Sequence, residues 1–508
     1  MKKILHITSH LGGGVGAVVT TLVSESEKLG RYKHIIISLD SISEYTYGLV
    51  EELNIEIKSN LTILEILEFC DIADIIQIEW WNHPLINRLL YNLELKKSRV
   101  IIYSHISGFF SPSVFTKEVI NFCDKFILTT PFSLEHELIK KQEKEKIETI
   151  PSLSGTVLEM DNVKHVEDKI FNVLYVGTVD FSKIHENFVR MHAEVKVPNI
   201  RFDICGGQMQ KILEKQVKML SKESLFNFHG FVNNVANFFS KADVFGYPLC
   251  KEHYGTGEQV LLEAMSAGVV PVVFDNGAEK YIIENNKTGI IVSSEQEYTN
   301  AIEYLYHNPN IRKELSINAR KYAKENLNIK IYAQKFNDIY DNLIMLPKRD
   351  RKFKNPKICN NEKIPFGSNL FLTFLGSFRK IFEKSIILEN IYKTIDNDFA
   401  IIMSPESMKS KTKGSVFHYL SFFNDDNCLL FWAGLLKMKN NESSHAEALI
   451  YFKDAVKNGF TNWRIYIYIY LLEEISDVNS YSFNKNKIVD WDVYYYTKRK
   501  YDKLTPKE

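Results

Sequence analysis

The chain has 508 residues, a length that predicts roughly two to four domains. Apolar residues are 45% and charged residues 25%, ordinary globular usage that excludes a disordered or collagen-like chain. Lys plus Arg and Asp plus Glu number 63 each, and the zero net charge removes the electrostatic case for a dedicated nucleic-acid binder.

Lys3–Ser9 is the first predicted strand, and a glycine cluster, Gly12-Gly13-Gly14-Val15-Gly16, follows it. This stretch lacks the apolar core and cleavage site of a signal peptide. No run elsewhere nears the ~20 apolar residues of a bilayer-spanning helix, so a cytoplasmic protein is expected. Ala17–Leu29 reads as a helix, then His34–Leu39, Ile75–Ile78, Val100–Tyr103 and Phe126–Thr129 read as strands. Strands alternating with helices imply βαβ units and a parallel sheet. The pattern restarts after Pro151 with Phe171–Val176, Phe202–Cys205, Asp243–Tyr247 and Val270–Phe274, and Asn328–Leu343 reads as a closing helix. Two Rossmann-like, doubly wound α/β domains are therefore expected over residues 1–158 and 159–345.

Residues 346–368, with KRDRKFKNPK, read as a basic linker, and 369–508 as a mainly helical appendage. Ala448, Phe452 and Ala455, with Trp432 and Gly434 upstream, have tetratricopeptide-like spacing, but only one such unit is visible, which favours a solitary helical hairpin. Asn369–Lys384 is apolar with basic residues at its end. A packed helix is the expectation, with peripheral contact at the inner face of the membrane as the alternative. The six cysteines lie far apart, as reduced core thiols would.

The segment richest in chemistry is Tyr254–Asp275, YGTGEQVLLEAMSAGVVPVVFD. Gly255, Thr256 and Gly257 would let the backbone approach a ligand at a helix N-terminus, where free N–H groups and the helix dipole favour phosphate. Glu263, about two turns along, could accept two ribose hydroxyls. Gly177, Thr178 and Lys183 follow a strand, the position where open α/β sheets bind ligands. His229-Gly230-Phe231-Val232 forms a further turn, in which Phe231 could also be core. In the first half, Gly12–Gly16 lacks the spacing and ribose acid of a dinucleotide fingerprint. His105 follows a strand and precedes Gly108. Trp80, Trp81 and His83 follow the strand DIIQIE, where exposed rings would suit sugar stacking and buried ones would be core. The strings Asp396–Asp398 and Asp490–Asp492 lie in the appendage and read as incidental.

In this order the motifs resemble the GT-B glycosyltransferases of family 4, the group 1 type. LLEAMSAGVVPVV is similar to that family's donor-binding segment. The resemblance implies two Rossmann-like domains facing a cleft, with the first binding the acceptor and the second the nucleotide-sugar donor. It implies transfer to an acceptor hydroxyl with retention, in surface polysaccharide or glycan synthesis. Donor contacts would come from Gly13, Gly14, Gly177, Thr178, Lys183, Gly230, Phe231, Val232, Gly255, Thr256, Gly257, Glu258 and Glu263. His105, Glu258 and Lys183 would act at the reacting centre, and Trp80, Trp81 and His83 on a glycan or lipid-linked acceptor. No metal or other cofactor is expected.

Two departures stand out. Thr178 replaces the family's arginine, and Gly255 stands where its first glutamate belongs, eight positions before Glu263. Glu258 or Glu252 could supply the missing carboxylate, and Glu258 is preferred because it follows the glycine turn. These departures keep open a non-catalytic scaffold or binding subunit, with protein contacts through 369–508. A nucleotide-sugar epimerase of GT-B fold is a further alternative.

Overall fold

The computed structural model describes residues 1–42, 53–166, 169–207, 209–356, 364–387, 390–411, 413–439, 442–475 and 487–504. Cys359 lies outside them, and the other five cysteines are free thiols. The chain forms two compact units. One comprises Met1–Trp81, Leu93–Phe110 and Val119–Lys352; the other comprises Asn82–Asn92, Ser111–Glu118 and Phe353–Glu508.

Among its described residues the first unit holds two large sheets in which every strand pair is parallel, together with a two-stranded antiparallel pair. The first sheet contains β1 (Lys2–Thr8), β2 (Tyr32–Ser38), β3 (Glu56–Ser59), β4 (Ile75–Trp80), β5 (Val100–Ser104), β6 (Lys125–Leu128) and β7 (Ile147–Thr149). Their spatial order is β7-β6-β5-β4-β1-β2-β3. The second contains β8 (Phe171–Val176), β9 (Ile200–Cys205), β10 (Phe226–Gly230), β11 (Val244–Tyr247), β12 (Val270–Phe274) and β13 (Ile290–Val292), in the order β10-β9-β8-β11-β12-β13. The central strands are apolar along their length because helices cover both faces; all six residues of β4 are buried. Strand order reverses between β1 and β4, and again between β8 and β11. Each reversal opens a crevice beyond the strand C-termini, the place where such sheets bind ligands.

Three helices shape these crevices. α1 (Gly13–Lys28) absorbs most of the glycine cluster into its first turn, so it starts earlier than the sequence suggests. Gly16 lies so close to Leu11 that a Cβ there would overlap the Leu11 carbonyl oxygen. Gly16→Ala should therefore lower stability by about 2 kcal/mol through overpacking, read as an earlier thermal unfolding midpoint. α2 (Gln259–Ala267) ends at Gly268, whose φ of 74° forms a left-handed cap. α3 (Ile329–Ile344) is capped by the Asn328 side chain, which accepts from the Lys330 and Ile331 amides. It returns to the first sheet, burying Tyr332, Phe336, Tyr340 and Leu343 in one cluster with Ile4, Leu22 and Tyr103.

The stretch read as a linker begins with a strand, Arg349–Lys352, paired antiparallel with Glu94–Ser98. Arg351 also forms an ion pair with Asp124.

In the second unit, Asn427–Lys437 and Glu442–Lys457 pack as a helical hairpin, with Gly434 directly under the Phe452 ring. Asn369–Lys384 is not one continuous helix. A short turn at Gly376–Phe378 divides Phe366–Thr373 from Arg379–Ile386, and Leu370, Phe371, Phe374 and Phe382 are buried. Among the described residues no helix is long and apolar enough to cross a membrane.

Candidate active site

The second crevice brings its polar residues together by backbone contact. Gly206, at the end of β9, has φ 129°, and a Cβ there would overlap the Gly177 carbonyl oxygen beyond β8. The Gly206 amide donates to the Gly230 carbonyl at 2.6 Å. The loop after β8 turns on Asp180, whose side chain accepts from the Ser182 amide at 2.7 Å and whose carbonyl accepts from the Lys183 amide at 2.8 Å. The Cys250 amide donates to the Lys183 carbonyl at 2.8 Å, which ties this loop to the one after β11.

Lys183 Nζ lies 3.1 Å from Glu258 Oε2, with 13% of the lysine side chain exposed. The Tyr247 hydroxyl donates to the same carboxylate oxygen. His253 Nδ1 is 4.0 Å from Glu258 Oε1, and His253 Nε2 is 3.0 Å from Glu279 Oε1. Burial opposes the charges of Lys183, Glu258 and His253, and their partners more than offset it. The Glu258 carboxylate raises the Lys183 pKa, and Lys183 followed by His253 lowers that of Glu258. The Glu279 carboxylate raises that of His253. The Glu258 carboxylate folds back over Gly255 and fills the space that a Cβ at 255 would occupy.

Glu263 sits on α2, half-buried, and accepts from the Thr156 hydroxyl at 2.6 Å. Burial raises its pKa; the Thr156 bond opposes this and Glu159 adds to it. One turn earlier, Gln259 donates to the Ser152 carbonyl at 2.7 Å and accepts from the Ser154 amide at 3.0 Å. α2 is thus fastened to the segment that joins the two sheets. Beside it lies a cavity of about 310 Å³ whose walls include Thr129, Ser152, Thr256, Leu262, Tyr281 and Tyr332.

At the first crevice a buried carboxylate, Glu79 near the end of β4, gathers three donors. These are His105 Nε2 at 2.9 Å, His6 Nδ1 at 3.1 Å and the Gln77 amide at 2.8 Å. His6 Nε2 meets His34 Nδ1 at 2.9 Å, His34 Nε2 meets the Ser26 hydroxyl at 2.8 Å, and Ser26 donates to Asn337 of α3 at 2.6 Å. Burial opposes the Glu79 charge, yet the bonds from His105 and His6 hold its pKa below the usual carboxylate value. Burial, followed by His6 and Lys33, keeps His34 well below the usual histidine value.

The predicted residues thus fall at the two crevices: Gly13, Gly14 and His105 at the first, Gly177, Thr178, Lys183, Gly230, Phe231, Val232, Gly255, Thr256, Gly257, Glu258 and Glu263 at the second. Gly13 and Gly14 are exposed in the first turn of α1. Phe231 is 87% exposed, so the alternative of a core phenylalanine is excluded. Glu252 is exposed, whereas Glu258 is the carboxylate against Lys183.

The open stacking surface expected of Trp80, Trp81 and His83 needs correction, because all three are buried. Trp80 pairs with Ser104 at the end of a central strand, and Trp81 packs edge-on against His10 and His105. His83 belongs to the second unit, where His418 and Phe422 cover its ring. Of the aspartate strings, Asp398 is buried against Arg464 at 2.8 Å, Asp396 pairs with Lys500, and Asp490 caps Trp491–Leu504. The sequence reading missed Glu79, Tyr247, His253 and Glu279. A glutamate inside the apolar strand IIQIEW was the available signal for the first.

Residues 159–322 match the family model Glycosyl transferases group 1. EpsD of Bacillus subtilis (strain 168), named as a candidate glycosyltransferase, is 24% identical over 30% of this chain, and the match spans 41% of its own length. An uncharacterized 41.2 kDa protein in the cps region of Klebsiella pneumoniae is 24% identical over 58% of this chain and 86% of its own. A glycosyltransferase from Rickettsia africae ESF-5 superposes with a TM-score of 0.57 at 14% identity, covering 68% of this chain and 99% of that one. Anabaena HepE in complex with UDP and glucose gives 0.55 at 15% identity, covering 67% and 100%. The chain therefore has the GT-B fold, and its residues 159–322 are similar to the group 1 glycosyl transferases.

Proposed function

We propose that this chain is a retaining glycosyltransferase that moves a sugar from a nucleotide-diphosphate sugar to an acceptor hydroxyl. The observation that carries this is the Lys183–Glu258 pair at the reversal of the second sheet. It joins the two sequence motifs that a donor site needs. The Glu258 carboxylate also comes to rest over Gly255, where the resembled family has its glutamate.

Lys183, with the amides at Gly177–Thr178 and at the start of α2, would hold the donor diphosphate. Glu263 would bind the ribose hydroxyls, and exposed Phe231 would lie against the base. Glu258 would orient the sugar, and His105 would offer it a hydrogen bond from across the cleft. In the transfer, the C1–O bond to the diphosphate breaks and its electron pair leaves with the phosphate oxygen. The acceptor oxygen bonds C1 on the same face, and its proton passes to the departing phosphate. Fixed positive charge at that oxygen is the largest contribution expected of such a site. The acceptor is a glycan or a lipid-linked glycan, in keeping with the cps-region relative.

The test is nucleotide release from UDP-, GDP- and ADP-sugars, with and without a chelator, in the wild type beside Glu263→Ala. Chelator-resistant release from one donor, lost in the variant, is the expected result. Absence of both release and donor binding across the panel would replace this proposal with a non-catalytic scaffold.

A further inference from the structure

We infer that Glu79 is a positioning residue that fixes the tautomer and orientation of His105. This rests on the transfer reading above, in which His105 meets the donor sugar. His105 Nε2 is committed to Glu79 Oε2 at 2.9 Å, so Nε2 carries hydrogen and Nδ1 is the nitrogen left for a ligand. The two carboxylate oxygens are divided between two histidines, Oε2 taking His105 and Oε1 taking His6 together with Gln77. Both side chains of the His105–Glu79 pair are at least 95% buried, with exposures of 5% and 0%. A buried carboxylate is tolerated only when its lone pairs are filled, and here every filling group is a side chain of the first sheet or the loop beyond it.

The bonds beyond Glu79 keep this arrangement in place. His6 passes the contact to His34, Ser26 and Asn337, and the Tyr340 hydroxyl donates to Gln77 at 2.7 Å. Asn337 and Tyr340 both lie on α3, the helix that returns from the donor domain. The supporting side chains therefore come from β1, β2, β4, α1 and α3, and rotation of His105 would require several of them to move. Trp81 and Tyr103 flank the imidazole at ring distances of 6.1 and 4.5 Å, which restricts the ring further.

Glu79→Gln is the decisive variant because it keeps the shape and removes one acceptor. A glutamine offers one oxygen and one NH₂ group, so it cannot accept from both His6 and His105. Oε1 accepts from both His6 and Gln77, so the amide oxygen stays on that side and the NH₂ group faces His105, which must turn a lone pair toward it. In nitrogen-15 spectra of the ring, His105 should be the Nε2–H tautomer in the wild type and lose that preference in Glu79→Gln. The transfer kcat should fall roughly 10- to 100-fold, as for other carboxylates that hold a catalytic histidine, with donor KM within about twofold. In a His105→Ala background, Glu79→Gln should cost nothing further in kcat.

An unchanged His105 tautomer in the folded variant, or an equal loss of kcat with and without His105, would overturn the inference. If Glu79→Gln does not fold, the wild-type spectrum decides: a His105 ring protonated on Nδ1 in place of Nε2 would overturn the inference. A wild type with no transfer on any donor would defeat the proposed function alone, because the tautomer spectrum decides Glu79 without activity.

Discussion

Replacing Lys183 by methionine is expected to lower donor turnover by about 10²- to 10³-fold, the usual loss when a fixed charge is removed from a developing anion. The same change should also destabilise the fold, and the two effects can be separated. Lys183 and Glu258 form an almost dry pair, and removal of one member leaves the other charged and uncompensated. Such losses run to about 3 kcal/mol or more, and the Tyr247 hydroxyl and His253 keep this one at the low end. The double variant Lys183→Met/Glu258→Gln removes both charges, so it should recover most of the stability and none of the turnover. Chemical denaturation of the three variants beside nucleotide release checks both halves. Recovery of turnover in the double variant would remove Lys183 from donor binding.

The sign of the acid dependence follows from the same pair. The folded-state pKa of Glu258 lies below its unfolded value. Its stabilisation is therefore complete above the ordinary glutamate pKa of about 4.3, and it is lost as pH falls through the folded value. Lys183→Met should flatten that acid limb.

The sheets were legible in the sequence where strands are central, and illegible where they are edges. β1, β4, β5, β8, β11 and β12 announce themselves as apolar runs because both faces are covered. The polar or mixed strands β3 (EIKS), β7 (IET) and β10 (FNFHG), and β13 (IIV), apolar but only three residues long, are the four edges of the two sheets. Edge strands are short and tolerate polar residues because one side is unpaired.

The site shows a similar division. Gly177, Lys183 and Glu263 could be read from position after a strand or within a helix, because local geometry places them. Glu79 could not be paired with His105, nor His253 with Glu279, because those contacts join residues 26 apart in each case, across neighbouring strands or loops. Burial of Trp80 and Trp81 was equally hidden, since an aromatic pair after a strand has the same letters whether open or covered.

Glu263→Ala is expected to weaken donor binding by roughly 10²- to 10⁴-fold, the worth of two charge-assisted hydrogen bonds to ribose hydroxyls. Stability should move the other way when the side chain is kept and only the charge removed. Glu263 is half-buried on α2 with the Thr156 hydroxyl as its donor, and burial holds its pKa above the usual carboxylate value. The sign is opposite to that of Glu258. Ionisation costs the folded state nothing at low pH, and the cost is fully present once pH rises through the raised folded value. Glu263→Gln should therefore match the wild type in acid and be more stable by about 1 kcal/mol near neutrality. Denaturation across pH, with donor titration at neutral pH, checks both parts. A carboxylate that weakens the fold in this way fits the ribose-binding role proposed for Glu263. If Glu263→Gln were less stable at neutral pH, Glu263 would instead be a structural anchor of α2 to Thr156, and the ribose contact would have to be sought elsewhere in the second crevice.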